Sequence, residues 1–145
     1  MLLENKRYRL TDIADVQRAQ KGVIYPKYTT YIQVSATQGQ VHQLNKAGTI
    51  ETKYATIIPK IDIFMPYFKI ALERCVPEFL ARYQSTINIQ MGDFSFFEID
   101  LHSDMQTQME IVMIMDQCDR AKQVEQDIVD KLKAGKKIAL RNMMC

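Results

Sequence analysis

The residues best suited to chemistry cluster in polar segments rather than in a catalytic motif. The stretch KGVIYPKYTT puts Lys21 and Lys27 beside Tyr25, Tyr28 and Thr29, and the segment from Gln40 to Lys53 adds His42, Gln43, Asn45, Lys46 and Lys53. Arg82, Tyr83, Gln84 and Ser85 form a third candidate loop. Ammonium and guanidinium groups answer phosphates, while amides and hydroxyls hydrogen-bond to base edges. Taken singly each is an ordinary surface residue, so any reading rests on their grouping.

Charge supports that grouping. From Asn5 to Lys60 nine Lys and Arg stand against three Asp and Glu, a net +6. From Ile61 to Cys118 the balance is −6, and from Asp119 onward it is +3, although the whole chain carries only +2. A basic first part beside an acidic middle suits a polyanion on one face and another partner elsewhere; scatter over a solvated surface gives the same count.

Enzyme signatures are missing. The chain has no GxGxxG, GxxxxGK[ST], HExxH or GxSxG, and no glycine-rich turn or base-flipping tetrad for a methyl transfer. Asp93, Glu98 and Asp100 are close in sequence, but Glu98 and Asp100 fall on one strand face and read as a solvated edge rather than a metal site. His102 reads as a loop or capping residue. Cys75, Cys118 and Cys145 are scattered, with no CxxC and only His42 and His102 as histidines. No metal site, cofactor or catalytic residue is expected, and a reducing, cytoplasmic setting is. Glu4, Lys6 and Arg7 follow Met1-Leu2-Leu3 directly, so no signal peptide is read, and no apolar run approaches a membrane span.

The elements that must position these residues read as an α+β chain, a mixed domain over 1–103 followed by a long helix over 104–145. Thr11 is expected to cap a short helix with Ile13, Ala14 and Val16 inward. Thr30–Ser35 and Tyr54–Ile58 read as strands, with a loop or hairpin between them. Pro66 opens one helix, PYFKIALERC, with Phe68, Leu72 and Cys75 inward, and Pro77 opens another, PEFLARY. Thr86–Met91 and Phe94–Leu101 read as strands joined by Gly92-Asp93. From the N-cap Asp104 onward, Ile111, Ile114, Cys118, Ala121, Val124, Ile128 and Leu132 recur at steps of three and four, which keeps them on one face of a helix. Such a helix, roughly 45 to 60 Å long, asks for a partner. Gly135 is its weak point.

The phrases LTDIADVQ, YIQVSA, YATIIPK, PEFLARYQSTINIQ and IVMIMDQCDRAKQVEQDIVDKLKAGKKIALRNMM together resemble the specificity subunit of type I restriction-modification systems. In that family a recognition domain opens on a phrase like L-x-D-I-A-x-V, and its long helix carries phrases like I-V-x-I-L-D-x-L-D and L-K-x-x-K-K-x-L-L-x-x-M. Ile111, Ile114, Met115, Asp116, Cys118 and Asp119 occupy the first helix phrase, and Leu132, Lys133, Lys136, Lys137, Leu140 and Met143 the second. Departures are a short segment before YIQVSA, Thr107-Gln108 in place of a Glu-Gln pair, and small residues at Cys118 and Ala121.

The resemblance implies a non-catalytic reader of double-stranded DNA, whose full-length relatives carry two recognition domains and two antiparallel helices that space the domains and bind methyltransferase subunits, with a restriction subunit as a further partner. One domain and one helix read as half of such a subunit, completed as a homodimer through Ile111, Ile114, Cys118, Ala121, Val124, Ile128 and Leu132 and reading a split palindrome. The three candidate loops then become the DNA-binding residues. A coiled-coil adaptor that binds only proteins is the alternative, and an enzyme completed by dimerisation a weaker one.

Overall fold

The structure is a computed structural model and describes residues 5–35, 39–83 and 88–143. The chain divides into two compact units, Met1–Glu110 and Ile111–Cys145.

In the first unit a four-stranded antiparallel sheet runs in the order β2 (Ala14–Arg18), β5 (Tyr54–Pro59), β3 (Thr30–Gln33), β4 (Val41–Gln43). Alternation decides its faces: Thr30 and Ile32 are buried between the more open Tyr31 and Gln33, and Ala55 and Ile57 turn the same way as Ile32. Helix α2 (Met65–Tyr83) supplies Tyr67, Phe68, Ala71, Leu72, Cys75, Val76 and Phe79 to the core, a pattern of adjacent pairs repeating every turn. A second pair of strands, β1 (Lys6–Arg9) with β6 (Glu98–Leu101), brings in Ile99 and Leu101. Phe79 packs on Phe97 at 4.7 Å and on Phe94 at 5.7 Å between ring centres.

Several sequence expectations are corrected. The segment LTDIADVQ is not a capped helix: only Leu10–Ile13 (α1) turns, behind Arg9 with no side-chain cap, and Ala14 leaves it at φ −146° to begin β2. Strand β5 needs a partner on this edge, and pairing of Ala14 with Pro59 through Arg18 with Ala55 outweighs the weak local helix preference. The two helices expected either side of Pro77 are one; Pro77 is exposed within α2, where burial of seven side chains on the opposite face offsets one missing helical bond. The hairpin expected over 86–101 is absent among the described residues. Thr86 and Ile87 lie outside them, and Asn88–Gln90 is not strand. Met91–Phe96 is a 3₁₀ helix, closed by the Gln90 amide donating to Asp93 Oδ2 at 3.3 Å and by Ser95 Oγ donating to the Gly92 carbonyl at 2.8 Å. A three-residue repeat buries Phe94 and Phe97 together and leaves Phe96 exposed.

Helix α3 (Met105–Met143) is as long as its periodicity suggests and runs without interruption through Gly135. Asp104 caps it, its Oδ2 accepting from the Thr107 amide at 2.9 Å and the Thr107 hydroxyl at 2.7 Å. These bonds hold the Asp104 carboxyl below the usual carboxylate range. Met144 and Cys145 lie outside the described residues. Among those described, no helix is long and apolar enough to cross a membrane.

Candidate nucleic-acid interface

Backbone hydrogen bonds bring together two of the segments singled out by residue type. Tyr25 and Gly48 exchange both of their backbone bonds, at 2.7 and 3.0 Å. The Tyr28 amide donates to the Leu44 carbonyl at 2.9 Å, and the Leu44 amide to the Thr29 carbonyl at 3.1 Å. Residues 21–30 and 40–53 therefore run side by side, joined at Tyr25–Gly48 and at Tyr28 and Thr29 with Leu44. Tyr28 sits at φ 70°, a left-handed conformation that costs a side-chain-bearing residue about 1 to 2 kcal/mol. The bonds on either side of it hold that geometry.

Within this surface the roles divide. Lys21, Asn45 and Lys46 are exposed. Lys27 lies over the Tyr28 ring at 4.7 Å, and Lys53 is shared between the Tyr54 ring at 5.4 Å and Glu51 at 3.4 Å. Tyr25 Oη accepts from the Gln20 amide at 3.0 Å. Thr29 is buried, its hydroxyl donating to the Pro26 carbonyl at 2.7 Å. The Gln43 side chain donates through Nε2 to the Met65 carbonyl at 2.9 Å and to Thr30 Oγ1 at 3.2 Å. Thr29 and Gln43 thus brace the surface from beneath.

Of the third candidate segment, Gln84 and Ser85 lie outside the described residues, and Arg82 and Tyr83 are not in a loop but at the C-terminal end of α2. Arg82 pairs with Glu78 at 3.1 Å, and Tyr83 stacks on Phe96 at 5.4 Å.

Sequence reasoning missed the neighbours of His42. Strand register aligns Gln17 with Thr56, Thr56 with Tyr31 and Tyr31 with His42, so one row crosses the sheet on the face opposite Ile32 and Ile57. The His42 ring stacks on Tyr31 at 5.3 Å and meets Tyr54 edge-on at 5.8 Å. Desolvation and the adjoining Tyr54 and Glu51 raise the Tyr31 hydroxyl above its ordinary pKa. The sequence marks Thr30–Ser35 only as a strand; the pairing register is what brings Tyr31 to His42.

Other candidates for chemistry are structurally committed. Arg7 clamps Asp100 at 2.9 and 3.1 Å and Glu98 at 3.1 Å, which holds the Asp100 carboxyl below the usual range. His102 is buried; its Nδ1 and the Tyr67 hydroxyl are 2.8 Å apart, and its backbone amide donates to the same oxygen at 2.8 Å. Buried Gln108 completes the network, its Oε1 accepting from the Phe64 amide at 2.9 Å and its Nε2 donating to the His102 carbonyl at 2.7 Å. Burial also pushes the Cys75 thiol up. Among the described residues no cluster of His, Cys, Asp and Glu is arranged to hold a metal ion.

Residues 4–134 match the family model described as the type I restriction modification DNA specificity domain. The chain belongs to that family. This specificity domain also shares its fold with an S subunit of a type I restriction-modification system from M. genitalium, at 16% identity and a TM-score of 0.66 over 81% of this chain and 39% of that one. A chain from a structure concerned with complex assembly and conformational transition of the type I R-M system matches at 16% and 0.66 over 83% and 40%. The HsdS subunit from Thermoanaerobacter tengcongensis matches at 16% and 0.61 over 83% and 39%. The specificity domain thus spans about two fifths of the length of these structures. No curated protein sequence matches it significantly.

Proposed function

We propose that this chain is a sequence-specific reader of double-stranded DNA, the recognition half of a type I specificity unit, with no chemistry of its own. The domain over 1–103 reads one half of a split target, and the helix over 104–145 joins a second copy and docks a methyltransferase subunit, with a restriction subunit recruited through that complex in the cytoplasm. The observation that carries the reading is the bridging of residues 21–30 to 40–53. It sets two polar segments of a member of this family side by side, and the exposed Lys21, Tyr28, Asn45 and Lys46 on them supply ammonium groups suited to phosphates and an amide and a hydroxyl suited to base edges.

The homodimer is supported by the helix itself. Val124, Ile128, Leu132 and Ile138 are each more than half exposed, and charge is polarised along the rod. Residues 111–130 hold five acidic and two basic side chains, whereas residues 131–143 hold five basic and none acidic. An antiparallel second copy sets the basic end of each helix against the acidic stretch of the other, a reciprocal contact that two-fold symmetry repeats at both ends. Equal heads on such a dimer read a palindrome with a fixed spacer.

Selection on random duplexes, with and without a type I methyltransferase subunit, tests the proposal. Enrichment of a split palindrome is the expected result. No enrichment alongside tight binding to a protein partner supports an adaptor instead.

A further inference from the structure

Ile24 is the most exposed large apolar side chain of the first unit among the described residues, at 73%, and Val23 beside it is 38% exposed. They stand at the tip of a loop that its own bonds hold shut. The Gln20 amide donates to Tyr25 Oη at 3.0 Å, the Val23 amide to the Gln20 carbonyl at 3.4 Å, and Tyr25 is tied to Gly48 through both backbone groups. Gly22 makes the turn at φ 80°, with nothing within 4 Å of a side chain there. A loop stapled in this way cannot fold its apolar tip back onto the domain, and β-branched Ile24 is stiff at χ1. Lys21 and Lys27 flank the tip, and Lys46 lies on the bridged segment.

We propose that Ile24, supported by Val23, is a wedge that enters a base step of the bound duplex, unstacks it and bends the DNA. The inference rests on the DNA reading proposed above and specifies how this loop takes part in it. Flanking ammonium groups favour a polyanion, and an aliphatic side chain set between them has no hydrogen bond to offer a base edge. What it can do is replace base-on-base contact at a kinked step, as apolar wedges do in DNA-bending proteins. Pyrimidine–purine steps deform at least cost. Each half-site is therefore selected at one TA or CA/TG step through deformability, with no polar base contact from Ile24.

The test uses the full chain and a duplex recovered by selection, with 2-aminopurine placed at each position in turn and dyes at the two ends to report bending. A several-fold rise in 2-aminopurine fluorescence at a single pyrimidine–purine step per half-site, with a shortened end-to-end distance, is expected. Ile24→Ala should abolish both signals and weaken binding by on the order of tenfold, because the bend is no longer held open, while leaving the salt dependence unchanged. Ile24→Leu should retain both signals. Specific binding with no unstacked step and no bend overturns the wedge and leaves the DNA reading standing, as does an Ile24→Ala protein indistinguishable from wild type. Loss of methyltransferase-subunit binding alone in Ile24→Ala also overturns it and makes the tip a protein anchor. Failure to bind any selected duplex removes the DNA reading and the wedge together.

Discussion

Replacing Lys21, Lys27 and Lys46 together with alanine should flatten the salt dependence of DNA binding. Lys21 and Lys46 are exposed and Lys27 lies over the Tyr28 ring at 4.7 Å, and among the described residues none of the three is in an ion pair, so each can turn its ammonium to a phosphate. Every phosphate contact contributes about 0.9 to the slope of log K against log salt, so three lost contacts lower its magnitude by about 2.7. Between about 50 and 200 mM salt the wild-type protein should then lose roughly 40-fold more affinity than the triple variant. Lys53 differs, because Glu51 at 3.4 Å already neutralises part of its charge; Lys53→Ala should change the slope by less than one full contact. Fluorescence anisotropy of a labelled selected duplex over a salt series measures these slopes, and Lys69→Ala, whose ammonium pairs with Glu73 on α2 at 3.4 Å, serves as the control. A triple variant with the wild-type slope would remove this surface from DNA contact and refute the assignment.

Gln108→Leu leaves the Phe64 amide and the buried His102 carbonyl without their partner, a cost of about 2 to 4 kcal/mol. With a urea m-value of about 2 kcal/mol per M, the unfolding midpoint of the variant should fall by roughly 1 to 2 M; a fall under about 0.3 M contradicts the network. Ile128→Asp with Leu132→Asp places charge on two side chains exposed in the single chain, so folding should survive while sedimentation shifts from dimer to monomer; a persistent dimer excludes this face of the helix. Asp100 is held ionised by Arg7 and Asp104 by Thr107. Because folding lowers both pKa values, their stabilisation is complete above the ordinary carboxylate pKa of about 4 and is lost as pH falls through the native values. Thermal unfolding followed from neutral into acid should show this loss, and Arg7→Met should shrink it; an unchanged acid limb in that variant would show that the Asp100 contribution is negligible.

Local repetition made the helix legible. The steps from Ile111 to Leu132 and the cap at Asp104 are features of neighbouring residues, and α3 runs as they suggest. The alternation of β3 and the short apolar run of β5 were legible for the same reason, since each pattern lies within its own strand. By contrast, Ala14 and Val16 looked helical because their partners Pro59 and Ile57 are some forty residues away, and FSFF looked like a strand because Asp93 and Gly92 close a 3₁₀ turn only when Phe94 and Phe97 have a core to enter. The same division holds for the candidate site. Residue type alone pointed to Lys21, Lys27, Asn45 and Lys46, but nothing in the order of residues revealed that Thr29 and Gln43 are braces, or that Tyr31 and Tyr54 surround His42.

By itself the sequence determined the family phrases, the charge polarity and the periodic helix, all properties of short segments that survive without knowledge of any distant contact. The tertiary structure decided which segments share a surface. The β2–β5 and β3–β5 registers and the Tyr25–Gly48 bridge join residues more than twenty positions apart, and such pairings are fixed by the burial and backbone bonding of the whole domain rather than by any segment's own preference.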